Sequence, residues 1–180
     1  SATAEDLQGA SSAGQQDTFL WVVGADAVVA RVRDCWSSLF TTRAIAYRQD
    51  LQIDHEQVLM GVAVQKMVNA RSAGVAMTLN PLNGDRSKIV IDSSWGLGES
   101  VVSGEITPDN FMLDKVMLEV VKRTVVPKPF ELRPDPAQRC VVHRVVEPDR
   151  QTQPSLSHEE LLDVARLAKR AERHYGTPQD

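Results

Sequence analysis

The sequence has few of the cysteines and histidines that form disulfides in small scaffolds or bind metals. Its 2 cysteines, Cys35 and Cys140, form no C-x-x-C pair, and its 4 histidines show no metal-ligand spacing. This excludes a disulfide scaffold, a zinc ribbon and a histidine-based metal site. No apolar run approaches the ~18 residues that a membrane-spanning helix needs, and the first residues do not resemble a signal peptide. We therefore expect a cytoplasmic protein with no membrane partner.

The sequence also lacks an excess of positive charge. It has 20 Lys plus Arg against 24 Asp plus Glu, which gives a formal net charge of −4. Proteins that bind phosphate backbones broadly usually carry a basic surface, so we expect no nucleic-acid partner. The 180 residues, 42% hydrophobic and 24% charged, have the composition of a globular domain.

Hydrophobic periodicity predicts a mixture of helices and strands. Apolar residues at steps of three and four predict a helix over 28–39 and a second one over 42–48. Runs of β-branched residues predict strands at 19–23, 58–68, 74–79, 88–93, 110–115, 118–124 and 140–146. The turn signals in 80–84 (NPLNG) predict a tight connection between antiparallel strands. Four prolines in 127–136 indicate an extended surface loop.

The best-marked element is a helix near the end of the sequence. Ser157 and Glu160 form a capping box at its start, and Gly176 stands where a C-terminal cap belongs. Strands and helices do not alternate along the chain, which argues against a doubly wound parallel sheet. We predict an α+β fold, with helices packed on one face of a largely antiparallel sheet.

Three segments are candidates for chemistry. The glycines of 94–99 (SWGLGE) follow a strand and would let backbone N–H groups approach a phosphate, although the third glycine of a dinucleotide fingerprint is missing. Gln65 ends an apolar run and could present its amide to an adenine edge. Gly14 and Thr18 flank a polar turn that could cradle a phosphate. Taken singly, each has an ordinary explanation: a plain turn, an exposed strand end and a flexible loop.

Taken together and in this order, these segments carry a family resemblance. The sequence resembles the N-terminal nucleotide-binding domain of the phosphoenolpyruvate synthase and pyruvate phosphate dikinase family. It is most similar to the synthase branch and to relatives that phosphorylate rifamycins or phenol. The resemblance runs through the whole chain and is carried by 1–7 (SATAEDL), 13–20 (AGQQDTFL), 35–48 (CWSSLFTTRAIAYR), 62–68 (VAVQKMV), 72–85 (SAGVAMTLNPLNGD), 94–115 (SWGLGESVVSGEITPDNFMLDK) and 175–180 (YGTPQD).

The resemblance implies an ATP-grasp fold, in which two α+β lobes hold Mg-ATP; on this chain a division near residues 50–70 would suit it. It implies that ATP phosphorylates a histidine on a separate swivelling domain, which passes the phosphate to pyruvate or another acceptor. The site residues that it assigns are Gly14 and Thr18 in a phosphate-covering hairpin, Gln65, Lys66, Met67 and Val68 at the adenine hinge, Glu99 near the phosphates and metal, and Asp180 as the first acid of a metal-binding D-x-E pair.

The sequence departs from the family pattern at both ends. The family's phosphate-binding arginine, its catalytic lysine and the second acid of the D-x-E pair have no counterpart in these 180 residues, and none of the histidines lies in a matching motif. We therefore expect a nucleotide-binding domain that is incomplete at both ends, binds ATP weakly or not at all and is inactive by itself. We assign no catalytic residue. The alternative is a non-catalytic binding or assembly module derived from the ATP-grasp fold.

Overall fold

A computed structural model describes residues 6–7, 10–11, 18–54 and 58–180. The chain divides into two compact units. Unit 1 comprises Ser1–Val68 and Pro134–Val141, and unit 2 comprises Asn69–Arg133 and Val142–Asp180. No helix within the described ranges is long and apolar enough to cross a bilayer.

Unit 1 is built mainly from two helices. The short strands β1 (Asp6–Leu7) and β2 (Ala10–Ser11) pair in antiparallel fashion. Helix α1 spans Ala25–Ser38 and helix α2 spans Thr42–Asp50, as the apolar spacing predicts. The Thr41 hydroxyl caps α2 by accepting a hydrogen bond from the Ala44 N–H at 3.3 Å, and the buried Arg48 guanidinium donates to the Leu39 carbonyl between the helices.

Two strands predicted in unit 1 are absent. Residues 19–23 and 58–68 have no assigned strand; in the second stretch only Val62 forms a β-bridge. An apolar run predicts buried side chains, but it does not predict that the backbone pairs with another strand. Here many of these side chains line a cavity against α1.

Unit 2 has a four-stranded antiparallel sheet covered by one long helix. The sheet has the order β3 (Ser72–Met77), β4 (Lys88–Trp95), β5 (Asp109–Asp114) and β6 (Val120–Thr124). Helix α5 spans His158–Tyr175, and one buried cluster joins it to the sheet through Ile89, Ile91, Phe111, Leu113, Leu161 and Ala165. The prediction of an α+β fold with a helix on a largely antiparallel sheet is confirmed.

The ends of α5 are those that the sequence predicts. The Ser157 hydroxyl accepts from the Glu160 N–H at 3.2 Å, while the Glu160 carboxylate accepts from the Ser157 N–H at 2.7 Å. Gly176 ends the helix in the left-handed conformation, with φ of 72°. Both oxygens of the Glu160 carboxylate also accept hydrogen bonds from the Arg71 guanidinium, at 2.6 and 2.7 Å. This contact links the start of α5 to the residue that precedes β3.

The prediction of a proline-rich loop over 127–136 is wrong. This stretch contains β7 (Phe130–Asp135), which pairs with β8 (Cys140–Val145) in a two-stranded sheet. Pro134 lies inside β7. Proline removes a backbone donor and is tolerated at sheet edges; β7 pairs with β8 on one side, and on its other side only Leu132 is bridged, to Gly96. The short helices α3 (Glu99–Val102) and α4 (Pro148–Gln151) carry too few residues for periodicity to reveal them.

A cavity beside an open backbone segment

Unit 1 contains a cavity of about 350 Å³. Its wall on α1 is formed by Val28, Val32 and Cys35, and its opposite walls come from the irregular stretches around residues 19–22 and 62–67. These stretches belong to the two apolar runs for which the sequence predicts strands. The lining is mainly aliphatic and aromatic, with few polar groups, which is the usual character of a small-molecule pocket.

The cavity brings together three of the residues that the resemblance assigns to the adenine hinge. Gln65, Lys66 and Met67 all line it, whereas Val68 and Thr18 do not belong to the lining. Gln65 and Lys66 are exposed, and Met67 is half-buried. Gly14 lies outside the described residues.

The backbone of residues 63–68 is open to a ligand. Within the part of the chain that the structure describes, the N–H and C=O groups of this segment form no hydrogen bond. Backbone polar groups in folded proteins are nearly always paired with protein or water. A run of six residues whose backbone donors and acceptors have no partner among the described residues, at the rim of an apolar cavity, can therefore bind the polar edge of a planar ligand.

Trp21 lies in the same cavity and was not predicted as a site residue. Its backbone N–H donates to the Met67 Sδ at 3.4 Å, and its backbone has a φ of 54°. The one signal in the sequence is a tryptophan inside the run FLWVV, and a buried strand explains it equally well. The neighbouring Arg31 also lines the cavity; its guanidinium pairs with Asp34 at 2.8 Å and lies 5.0 Å from the centre of the Phe19 ring.

The glycine-rich segment lies in unit 2 and differs from the predicted phosphate cradle. Gly96 has a φ of 79°, and a Cβ there would overlap the Leu132 carbonyl oxygen, so the backbone passes too closely for any side chain. The N–H groups of Gly96 and Leu97 donate to the carbonyls of Arg71 and Leu132, at 2.9 and 3.0 Å. These two donors are thus already used by the protein.

The two candidate metal ligands, Glu99 and Asp180, also lie in unit 2 and are both exposed. Glu99 is the first residue of α3. Asp180 lies in a groove between β3 and α5. The N–H of its neighbour Gln179 donates to the Thr78 hydroxyl at 2.7 Å, and the Thr78 N–H donates to the Gln179 carbonyl at 2.8 Å. The described residues contain no group of three or more His, Cys, Asp or Glu side chains that could hold a metal ion. A magnesium site therefore stays a prediction.

Comparison with known proteins gives the family. The family model described as "Pyruvate phosphate dikinase, AMP/ATP-binding domain" matches residues 1–180. The chain belongs to this family. This AMP/ATP-binding domain family implies use of ATP.

Curated members of the pyruvate phosphate dikinase family match the whole chain. The phosphoenolpyruvate synthases of Pyrococcus furiosus and Aeropyrum pernix are 42% and 43% identical to the chain. Each match covers 100% of the chain, but only 23% and 25% of the respective synthase. A probable phosphoenolpyruvate synthase of Methanothermobacter thermautotrophicus is 45% identical and contributes 26% of its length. The chain thus spans about a quarter of these relatives.

Proposed function

We propose that this chain is the ATP-binding part of a dikinase-type phosphotransferase similar to phosphoenolpyruvate synthase, with an ATP-grasp fold. The observation that carries this proposal is the unit 1 cavity with the open backbone segment 63–68 at its rim. Adenine is planar and apolar on both faces, and it presents an amino donor and ring-nitrogen acceptors at its edges. An apolar cavity bordered by free backbone donors and acceptors is complementary to both properties.

Within this proposal, Gln65, Lys66, Met67 and Val68 contact the adenine. Gly14 and Thr18 cover the phosphates, while Glu99 and Asp180 supply carboxylate oxygens to Mg²⁺. Oxygen ligands are those that Mg²⁺ prefers, and exposed carboxylates leave the ion room to keep several waters and bind phosphate oxygens. Mg²⁺ held by these carboxylates would supply the neutralisation of phosphate charge that phosphoryl transfer needs. A phosphoryl group of ATP would then pass to a histidine on a separate swivelling domain, with the rest of the nucleotide as the leaving group, and onward to pyruvate or another acceptor.

The adenine part is tested by filling the cavity from its rim. Ala63 lines the cavity and is exposed, so a larger side chain there can enter the cavity without disturbing a packed core. We expect Ala63→Trp to weaken adenosine binding at least about tenfold, measured by NMR titration of the 180-residue chain, a method that detects weak binding. Ala46→Trp, at an exposed position on α2, is the matched control and should bind adenosine as the unchanged chain does.

The metal part is tested with a second ligand. Glu99→Gln and Asp180→Asn should weaken binding of Mg-ATP and leave binding of adenosine, which has no phosphate, unchanged. If both variants bind Mg-ATP as tightly as the unchanged chain does, Glu99 and Asp180 do not belong to the site. If a full-length protein that carries this domain also binds none of adenosine, AMP and Mg-ATP, the alternative of a non-catalytic binding or assembly module is favoured.

A further inference from the structure

Trp21 has a buried hydrogen-bond donor without an acceptor. The Nε1 atom of its indole is shielded from solvent, and no described residue accepts its proton. Buried indole N–H groups usually have a partner, because leaving such a donor unsatisfied is costly. An orphan donor on a side chain that lines a cavity suggests that the partner is a ligand of that cavity.

The backbone of Trp21 supports the same conclusion. A φ of 54° is rare for any residue with a side chain and a true outlier for one as bulky as tryptophan. Such conformations persist where surrounding structure enforces them, and they cluster at binding sites. Here the Trp21 N–H donates to the Met67 Sδ at 3.4 Å. The contact ties Trp21 to the hinge segment.

The other two tryptophans show how unusual this is. The Trp36 indole donates to the Met60 carbonyl at 3.2 Å, and the Trp95 indole donates to the Arg150 carbonyl at 3.0 Å. Trp36 is 49% exposed, and neither residue lines the cavity. Of the three indole N–H groups, that of Trp21 alone lacks an acceptor within the described chain.

We propose that the Trp21 indole N–H binds the nucleotide base by donating a hydrogen bond to one of its ring nitrogens. This inference rests on the proposed adenine site of unit 1. It makes Trp21 a specificity residue, because the donor recognises a planar heterocycle with an in-plane acceptor and rejects a purely hydrocarbon ring. Recognition by an N–H discriminates well, since a ligand without the acceptor leaves the donor unpaired again.

The test combines one protein variant with three ligand variants. Trp21→Phe keeps an aromatic ring and removes the N–H. Dissociation constants are measured for adenosine and for its 1-deaza, 3-deaza and 7-deaza analogues, each of which replaces one acceptor nitrogen by C–H. We expect Trp21→Phe to weaken adenosine binding about three- to tenfold. For the one analogue that lacks the contacted nitrogen, the variant and the unchanged chain should bind equally well. Trp36→Phe is the control and should leave every affinity unchanged.

A measurement on the unchanged chain keeps the test valid if Trp21→Phe does not fold. In an ¹⁵N-labelled sample the Trp21 indole N–H resonance, assigned with Trp36→Phe and Trp95→Phe, should move downfield when adenosine is added. If adenosine binds but this resonance stays in place and no deaza analogue shows the coupling, the role of Trp21 is overturned while the adenine site stands. If adenosine binds neither the unchanged chain nor a full-length protein that carries it, the proposed adenine site itself is overturned.

Discussion

At the scale of single residues, Asp114 shows a carboxylate held by the turn that follows it. Its oxygens accept from the backbone N–H groups of Val116 and Met117 and from the Lys88 ammonium, each at 3.0 Å. These hydrogen bonds, that of Met117 first and those of Lys88 and Val116 next, lower the pKa of Asp114 from 3.8 to about 2. Each bond favours the charged form, so the turn and the ionised carboxylate stabilise each other.

This lowered pKa predicts a pH dependence of stability. A carboxyl group whose pKa is lower in the folded than in the unfolded state adds stability above the unfolded pKa and loses it as the pH falls through the folded one. Asp114→Asn should therefore lower the thermal unfolding midpoint most above about pH 4, and the difference from the unchanged chain should shrink towards about pH 2. Glu119→Gln, exposed in the same hairpin, is the control. A difference that is constant with pH would contradict this account.

At the scale of elements, α5 depends on its first turn. The Ser157 hydroxyl and the Glu160 side chain each accept a backbone N–H that would otherwise be unpaired. Ser157→Ala should lower the free energy of unfolding by about 1 kcal/mol, measured by urea denaturation. Thr152→Ala, at an exposed position after α4, should change it by less than about 0.5 kcal/mol. Equal effects of the two substitutions would show that the cap does not stabilise the helix.

The elements that could be predicted from sequence are those whose signals are local. Helix α5 carries its cap, its apolar stripe and its terminal glycine in one stretch, and the strands of the unit 2 sheet are separated by turn residues. The runs 19–23 and 58–68 show the limit, because their apolar side chains are needed for the cavity wall and not for a ladder. Whether an apolar run pairs with another strand depends on distant residues, which local pattern does not contain.

The candidate site was predictable in part for the same reason. Gln65, Lys66 and Met67 follow one another in sequence, so a single resemblance identified three residues that line one cavity. Trp21 could not be found in this way, since its significance comes from a backbone angle and from a donor without a partner. Both properties exist only once the chain is folded.

At the scale of the whole molecule, a buried polar network connects distant segments of unit 2 to one another. The fully buried ammonium of Lys128 lies 2.7 Å from the Asp109 carboxylate, which also accepts from the Val126 N–H at 3.1 Å and from Ser155, through N–H and hydroxyl, at 2.7 and 2.8 Å. The Ser155 hydroxyl is in turn 2.7 Å from that of Ser93 on β4. The network thereby links two sheet strands to the segments before β7 and α5.

Removal of the Lys128 ammonium from this network should strongly lower the stability of unit 2. Lys128→Met leaves the Asp109 carboxylate buried without its counter-charge, and breaking a buried pair in this way costs about 3–5 kcal/mol. We expect that loss in the free energy of unfolding of unit 2, followed through the fluorescence of the buried Trp95 in a Trp21→Phe, Trp36→Phe background. Lys122→Met, on the exposed strand β6, is the control and should change stability by less than about 0.5 kcal/mol.

The chain path through the two units limits how the molecule can be taken apart. The polypeptide leaves unit 1 after Val68, returns for Pro134–Val141 and leaves again, so three peptide connections join the units. A protease that cuts once at residue 68 leaves them covalently attached. A gene fragment that starts at residue 69 necessarily encodes an eight-residue piece of the other unit. Neither unit can be exchanged between relatives as a single uninterrupted cassette, and recombination within this family should therefore preserve the pair together.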